Sequence, residues 1–218
     1  MASIITPATT MKFGAGSGIG LVTSELLSTS AYTGSTQSRV LGPPRRTLKL
    51  VQPTPLTQQE AGEWFSLLGR LRGRSNILAM WDPLRPKPLG TARNTAWTVR
   101  LDGNHAQGAT SISLRNFTSA GVTFVWGDWL CIHTGAGWGG SELVRVVDQL
   151  ATVDATFKVT LNIDVPLRMA HPDNSQVAHT YATGYFRAAS SSWSYNGTGA
   201  SGQLVEGLAL DFIEDFGA

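Results

Sequence analysis

Cys131 is the chain's single cysteine, so no internal disulfide is possible and a thiolate metal site cannot be completed. Set in an apolar run, it reads as a buried, inert thiol. Apolar runs all fall far short of the roughly 20 residues that carry a helix across a bilayer, so no membrane span is expected. Charge is sparse, at 15% Asp, Glu, Lys and Arg. His105, His133, His171 and His179 form neither an H-x-x-x-H nor an H-E-x-x-H spacing, which leaves zinc-protease chemistry without ligands. No Gly-x-Ser-x-Gly elbow offers a nucleophile. The opening residues lack a basic stretch followed by an apolar one, so no secretory signal is expected and synthesis is placed in a cytoplasm. What is present is 218 residues, enough to bury a core, with 24 glycines punctuating short apolar stretches.

One segment reads as helix and most others as strand. Thr57 and Glu60 have the spacing of a capping box, in which hydroxyl and carboxylate each satisfy the other residue's amide. Ala61, Trp64, Phe65, Leu68 and Leu71 then form an apolar stripe, and Gly73 suits the exit. The helix is therefore placed over 57–72, with Trp64, Phe65 and Leu68 against a sheet. Arg70, Arg72 and Arg74 complement its carbonyl end.

Arg45–Gln52 alternates as a strand with Leu48 and Leu50 on one face. Asn76–Trp81 reads as a buried strand. The prolines of 82–90 make that stretch an irregular connector. Strands are expected over Thr9–Phe13, Asn94–Leu101 (Trp97, Val99 and Leu101 inward), Thr110–Arg115, Val122–Thr134 with a break at Gly127-Asp128, Glu142–Asp148, and Thr156–Val165. In the last, Phe157, Val159, Leu161, Ile163 and Val165 alternate with polar residues, which requires one buried and one wet face. Short strands follow at 177–181, 184–188 and 203–213. Residues 14–44 read as loop.

Several motifs resolve into plainer readings. Gly14–Gly20 resembles a dinucleotide-binding glycine turn. That turn needs a buried strand before it and a helix after it, and Tyr32, Tyr181, Tyr185 and Tyr195 all lack a Lys four residues on. A flexible glycine loop is the favoured reading. His171-Pro-Asp-Asn174 reads as a polar turn. Asp211, Glu214 and Asp215 read as a solvated terminal strand, with Glu214 on the face opposite the two aspartates. Asn196-Gly-Thr198 is a formal sequon without a secretory context. No catalytic, cofactor-binding or metal-ligating residue is assigned, and no cofactor is expected.

Charge is split along the chain. Residues 39–115 carry 12 Lys and Arg against 4 Asp and Glu, and residues 116–218 carry 4 against 10. Two solvated faces account for this, and nucleic-acid binding is not expected. A third reading is a basic face on one copy meeting an acidic face on the next. Of the seven tryptophans, Trp64, Trp81, Trp97 and one of Trp126 and Trp129 fall on expected core faces. Trp138, within Gly135–Gly140, is expected to be exposed.

A set of local features then occurs in order. These are Thr-Gly-Ser-Thr-Gln (33–37), Glu60-Ala-Gly-Glu-Trp-Phe-Ser-Leu-Leu-Gly-Arg-Leu-Arg-Gly73, Met80-Trp-Asp-Pro-Leu-Arg-Pro86, Pro88-Leu-Gly-Thr91, Gly-Asp-Trp-Leu (127–130), Val165-Pro-Leu-Arg168, Tyr185-Phe-Arg187, and Leu208-Ala-Leu-Asp-Phe-Ile-Glu214. Together, over roughly 30–215, they resemble tail-associated virion proteins of tailed bacteriophages, similar to distal tail and baseplate proteins. The resemblance implies a non-catalytic ring-forming homo-oligomer, with a hexamer as one ring order. It also implies contact with other tail proteins such as tube and hub, and a place in the virion tail after assembly in the host cytoplasm. The expected fold is mainly β: a sheet or partial barrel with one packed amphipathic helix (57–72) and a small β-barrel-like unit. A flexible arm and loop would cover 1–44, a main β domain with the helix 45–101 and 169–218, and an inserted β unit 102–168. The alternative is a glycan-binding module for host attachment, using Trp138 and Trp193.

Overall fold

A computed structural model describes residues 2–8, 10–53, 56–94, 99–134, 141–190 and 208–216. The fold is mainly β with one helix, and a sheet curls into a half-barrel. The first sheet orders its strands β1 (Ile4–Ile5), β6 (Ile77–Met80), β15 (Gly184–Ala188), β16 (Ala209–Glu214), β5 (Arg45–Val51) and β2 (Gly18–Val22). Only the β1–β6 pair in it is parallel. The helix α1 (Gln58–Leu71) buries Ala61, Trp64, Leu67 and Leu71 in a core shared with Leu48, Leu50, Phe186 and Phe212.

The helix begins and ends as its sequence requires. The Thr57 hydroxyl accepts from the Glu60 amide at 3.3 Å, and the Glu60 carboxylate accepts from the Thr57 amide at 2.9 Å. At the other end Arg72 turns left-handed (φ 48°, ψ 52°) and its amide donates to the Leu68 carbonyl; Gly73 follows at φ 66°.

A second sheet orders β11 (Ser141–Arg145), β10 (Trp129–His133), β14 (Gln176–Ala178), β7 (Arg100–Leu101), β8 (Ser111–Arg115) and β13 (Val159–Asn162). Its two outer strands meet just beyond their ends. Val146 bridges Ile163, and the Asp164 amide donates to the Arg145 carbonyl at 2.9 Å. This closes the sheet around Leu101, Ile112, Leu114, Leu130, Ile132, Val144 and Leu161. The other face of β10 and β11 presents Trp129, Cys131 and Leu143 to the first core. Being covered on both sides, Trp129–Ile132 is buried throughout, as a continuous apolar strand must be.

Two ribbons complete the strands of the described residues: β9 (Thr123–Val125) with β12 (Leu150–Thr152), and β3 (Glu25–Thr29) with β4 (Thr36–Val40). Gly90 packs directly on the first of these, where an added methyl would run into the Thr123 carbonyl, so only glycine is accommodated.

Several local expectations need correction. Residues 18–40 carry β2, β3 and β4 where the sequence reads as loop, so the second half of the Gly14–Gly20 run is strand rather than flexible glycine loop. The strand placed over Thr9–Phe13 is absent among its described residues; β1 at Ile4–Ile5 takes the edge instead. Phe65 is 39% exposed and Leu67 is buried in its place. Phe65 lies about 100° round the helix from Trp64, while Leu67 lies on the other side of Trp64, next to Leu71, and completes the buried stripe. Thr91–Asn94 forms a 3-10 turn rather than the start of a strand. Phe157 sits in a turn at φ +60° and is 44% exposed, so the alternation of 159–165 does not extend back to it.

Candidate functional site

Two features stand out: a buried ionic joint between the sheets, and a solvent-exposed ribbon. The joint starts from strand period. On β5, Arg46 shares the inward face with Leu48 and Leu50 and is fully buried. A buried guanidinium must be paired. Arg46 donates two parallel bonds to Asp164, at 2.9 and 2.8 Å, and a third from Nε to the Leu143 carbonyl at 3.3 Å. Its guanidinium carbon also lies 4.8 Å from the Trp129 ring centre. Asp164 additionally accepts from the Arg145 amide at 3.1 Å and pairs with the Arg145 side chain at 3.3 Å.

Burial pushes the Asp164 carboxyl up. The hydrogen bonds and charge of Arg46, then those of Arg145, outweigh it and hold Asp164 below the ordinary carboxylate range.

A second pair continues the joint. Glu214 on β16 is inward with Leu210 and Phe212, not solvated as its terminal position suggests. It receives a two-pronged grip from Arg168 (2.9 Å to each oxygen) and the Arg46 amide at 2.8 Å. Arg168 also donates to the Pro44 carbonyl, and its guanidinium carbon lies 3.8 Å from the Phe216 ring centre. The Arg168 amide reaches Glu142 at 2.8 Å, whose other oxygen meets His171 Nε2 at 3.0 Å. His171, expected in a polar turn, is thus a core residue. The bonds of Arg46 to Asp164 and the Leu143 carbonyl, and of Arg168 to Glu214, tie β5 and β16 of one sheet to β11 and the 164–171 segment of the other; the remaining bonds brace each side.

The joint's carboxylates are engaged by guanidiniums, backbone amides or His171, while Arg168 Nε and His171 Nδ1 are buried with no hydrogen-bond partner among the described residues. Cys131 is wholly buried, and burial pushes its thiol up to about 12. Burial also lowers His133, which lies 2.8 Å from the Ser141 hydroxyl. Among the described residues no cluster of three or more His, Cys, Asp and Glu is placed to hold a metal ion, and no helix is long and apolar enough to cross a membrane.

The ribbon is different in kind. Among the described residues β3 and β4 pair only with each other. Every residue from 20 to 41 except Ser30 is exposed. Pairing register and strand alternation put Leu27 and Val40 on one face and Leu26 and Leu41 on the other. Leu27 is 66% exposed and Tyr32, at the tip, fully so. A lone two-stranded hairpin is at best marginally stable in water. β2, which leads into it, is the open edge of the first sheet.

Of the tryptophans, Trp64 and Trp129 are buried, Trp81 is half-buried against Tyr181, and Trp126 is 63% exposed. Trp97, Trp138, Trp193 and Asn196 lie outside the described residues. No family model matches the chain, and no curated protein matches it.

Proposed function

We propose that this chain is a non-catalytic structural component of a bacteriophage tail, in the distal tail or baseplate region. There it assembles as a ring and contacts other tail proteins such as tube and hub. The observation that carries this reading is the β3–β4 ribbon, which exposes Leu27 and Val40 on one face and Leu26 and Leu41 on the other and has no strand partner outside itself among the described residues. Residues 22–41 match in number the 20–30 residues that each side of a standard interface uses. A ring requires two different, complementary patches on each copy, and the open β2 edge offers a second one. The ordered resemblance described above supplies the tail context.

Sedimentation velocity at low and high salt, alone and with tail-tube protein, tests the reading. The expected result is a closed oligomer that Leu26→Ser/Leu27→Ser reduces to monomer without unfolding. A wild-type chain that stays monomeric under all these conditions overturns it.

One observation favours a second reading, host-glycan attachment: Trp126 presents an exposed ring, of the kind that stacks on sugars. Glycan-array binding abolished by Trp126→Ala, with the fold intact, would support it over assembly.

A further inference from the structure

An open cavity of ≈ 470 Å³ lies where β5, β15 and the end of β16 meet, within the range of roughly 300–1,000 Å³ typical of ligand clefts. Its walls include Arg45, Arg74, Arg187, Ile213, Asp215 and Phe216. Charge in this cavity is unevenly balanced. Glu214, which also borders it, is held by Arg168 and the Arg46 amide, and Asp215 accepts from Arg187 Nε at 2.6 Å. Arg45 and Arg74 have no carboxylate within ion-pair distance among the described residues. Neither is loose. Arg45 lies 5.6 Å from the Phe216 ring centre, Arg74 donates to the Ala189 carbonyl, and Arg187 donates to the Arg74 carbonyl at 2.6 Å. Ile213, 42% exposed, adds an apolar wall.

Two guanidiniums without a carboxylate partner among the described residues, held beside apolar surface, form a receptor for a carboxylate attached to an apolar neighbour. We propose that this pocket docks an acidic segment of a partner protein, with an Asp or Glu side chain between Arg45 and Arg74 and an adjacent apolar residue on Ile213 and Phe216. A nucleic-acid backbone fits less well, because it calls for a basic track rather than two cations walled by Ile213 and Phe216. The inference is independent of ring assembly, since docking is read on the chain in any oligomeric state.

The test is fluorescence anisotropy of a labelled peptide of alternating Glu and Leu titrated with the full chain. Saturable binding is expected, weakened by salt and absent for the peptide with Gln in place of Glu. Arg45→Gln/Arg74→Gln should weaken it by about tenfold or more, the loss of a charge-assisted hydrogen bond. Both arginines are exposed, so an unchanged thermal midpoint is expected for this variant. Arg45→Lys/Arg74→Lys, which keeps the charge, should retain part of the affinity. Equal binding by the Gln variant, equal binding of the Gln peptide, or displacement of the peptide by a single-stranded oligonucleotide at lower concentration would each overturn the proposal.

Discussion

Replacing Arg46 by Met isolates the ionic joint. Methionine fills much of the same volume but removes three hydrogen bonds, to Asp164 and to the Leu143 carbonyl. Breaking a buried pair from one side typically costs about 3–5 kcal/mol, because the other charge is left behind. Arg145 still supports Asp164 through its amide and side chain, so the lower end, about 3 kcal/mol, is expected. Loss of the Trp129 contact adds about 0.5–2 kcal/mol. The double variant Arg46→Met/Asp164→Leu removes both charges, and such replacements are often neutral or stabilising. It should therefore be more stable than Arg46→Met alone. Urea unfolding followed by far-ultraviolet circular dichroism and tryptophan fluorescence measures all the corners of the cycle. A loss under about 1 kcal/mol for Arg46→Met, or strict additivity in the double variant, would refute the joint as described.

Three further outcomes follow from the same contacts. Asp164 has a depressed folded value, so its stabilisation is complete above the ordinary Asp value, near pH 4, and is lost as pH falls through the folded value; acid melts should show this slope reduced in Asp164→Asn. Thr57→Ala should cost about 1 kcal/mol through the lost cap, read by thermal melting, and an unchanged midpoint would contradict the capping box. Cys131, buried and held protonated to about pH 12, should react with thiol reagents only after denaturant is added, and prompt modification of the native chain would show the site to be open.

Periodicity made the core legible and hid the joint. The alternation Leu48, Leu50 continues backward to Arg46, and Leu210, Phe212 continues forward to Glu214. A charged residue in an inward register reads as the end of a pattern unless its partner is known. Those partners lie 118 and 46 residues away, at Asp164 and Arg168, beyond the reach of any local pattern. The helix was fixed by its caps, but a stripe through Trp64, Leu68 and Leu71 can take in Phe65 on one side or Leu67 on the other. The sheet beneath selected the second. The strands of 18–40 escaped for a different reason: with both faces wet, β3 and β4 carry no alternation to detect. That same lack of burial makes them the element most in need of a partner.

The account rests on the ribbon at residues 22–41 being completed by another copy. Electron cryomicroscopy of assembled particles containing the chain tests this directly. The expected map is a closed ring in which each ribbon lies against the adjacent subunit. A map with one isolated copy, its ribbon bare to solvent, would contradict it.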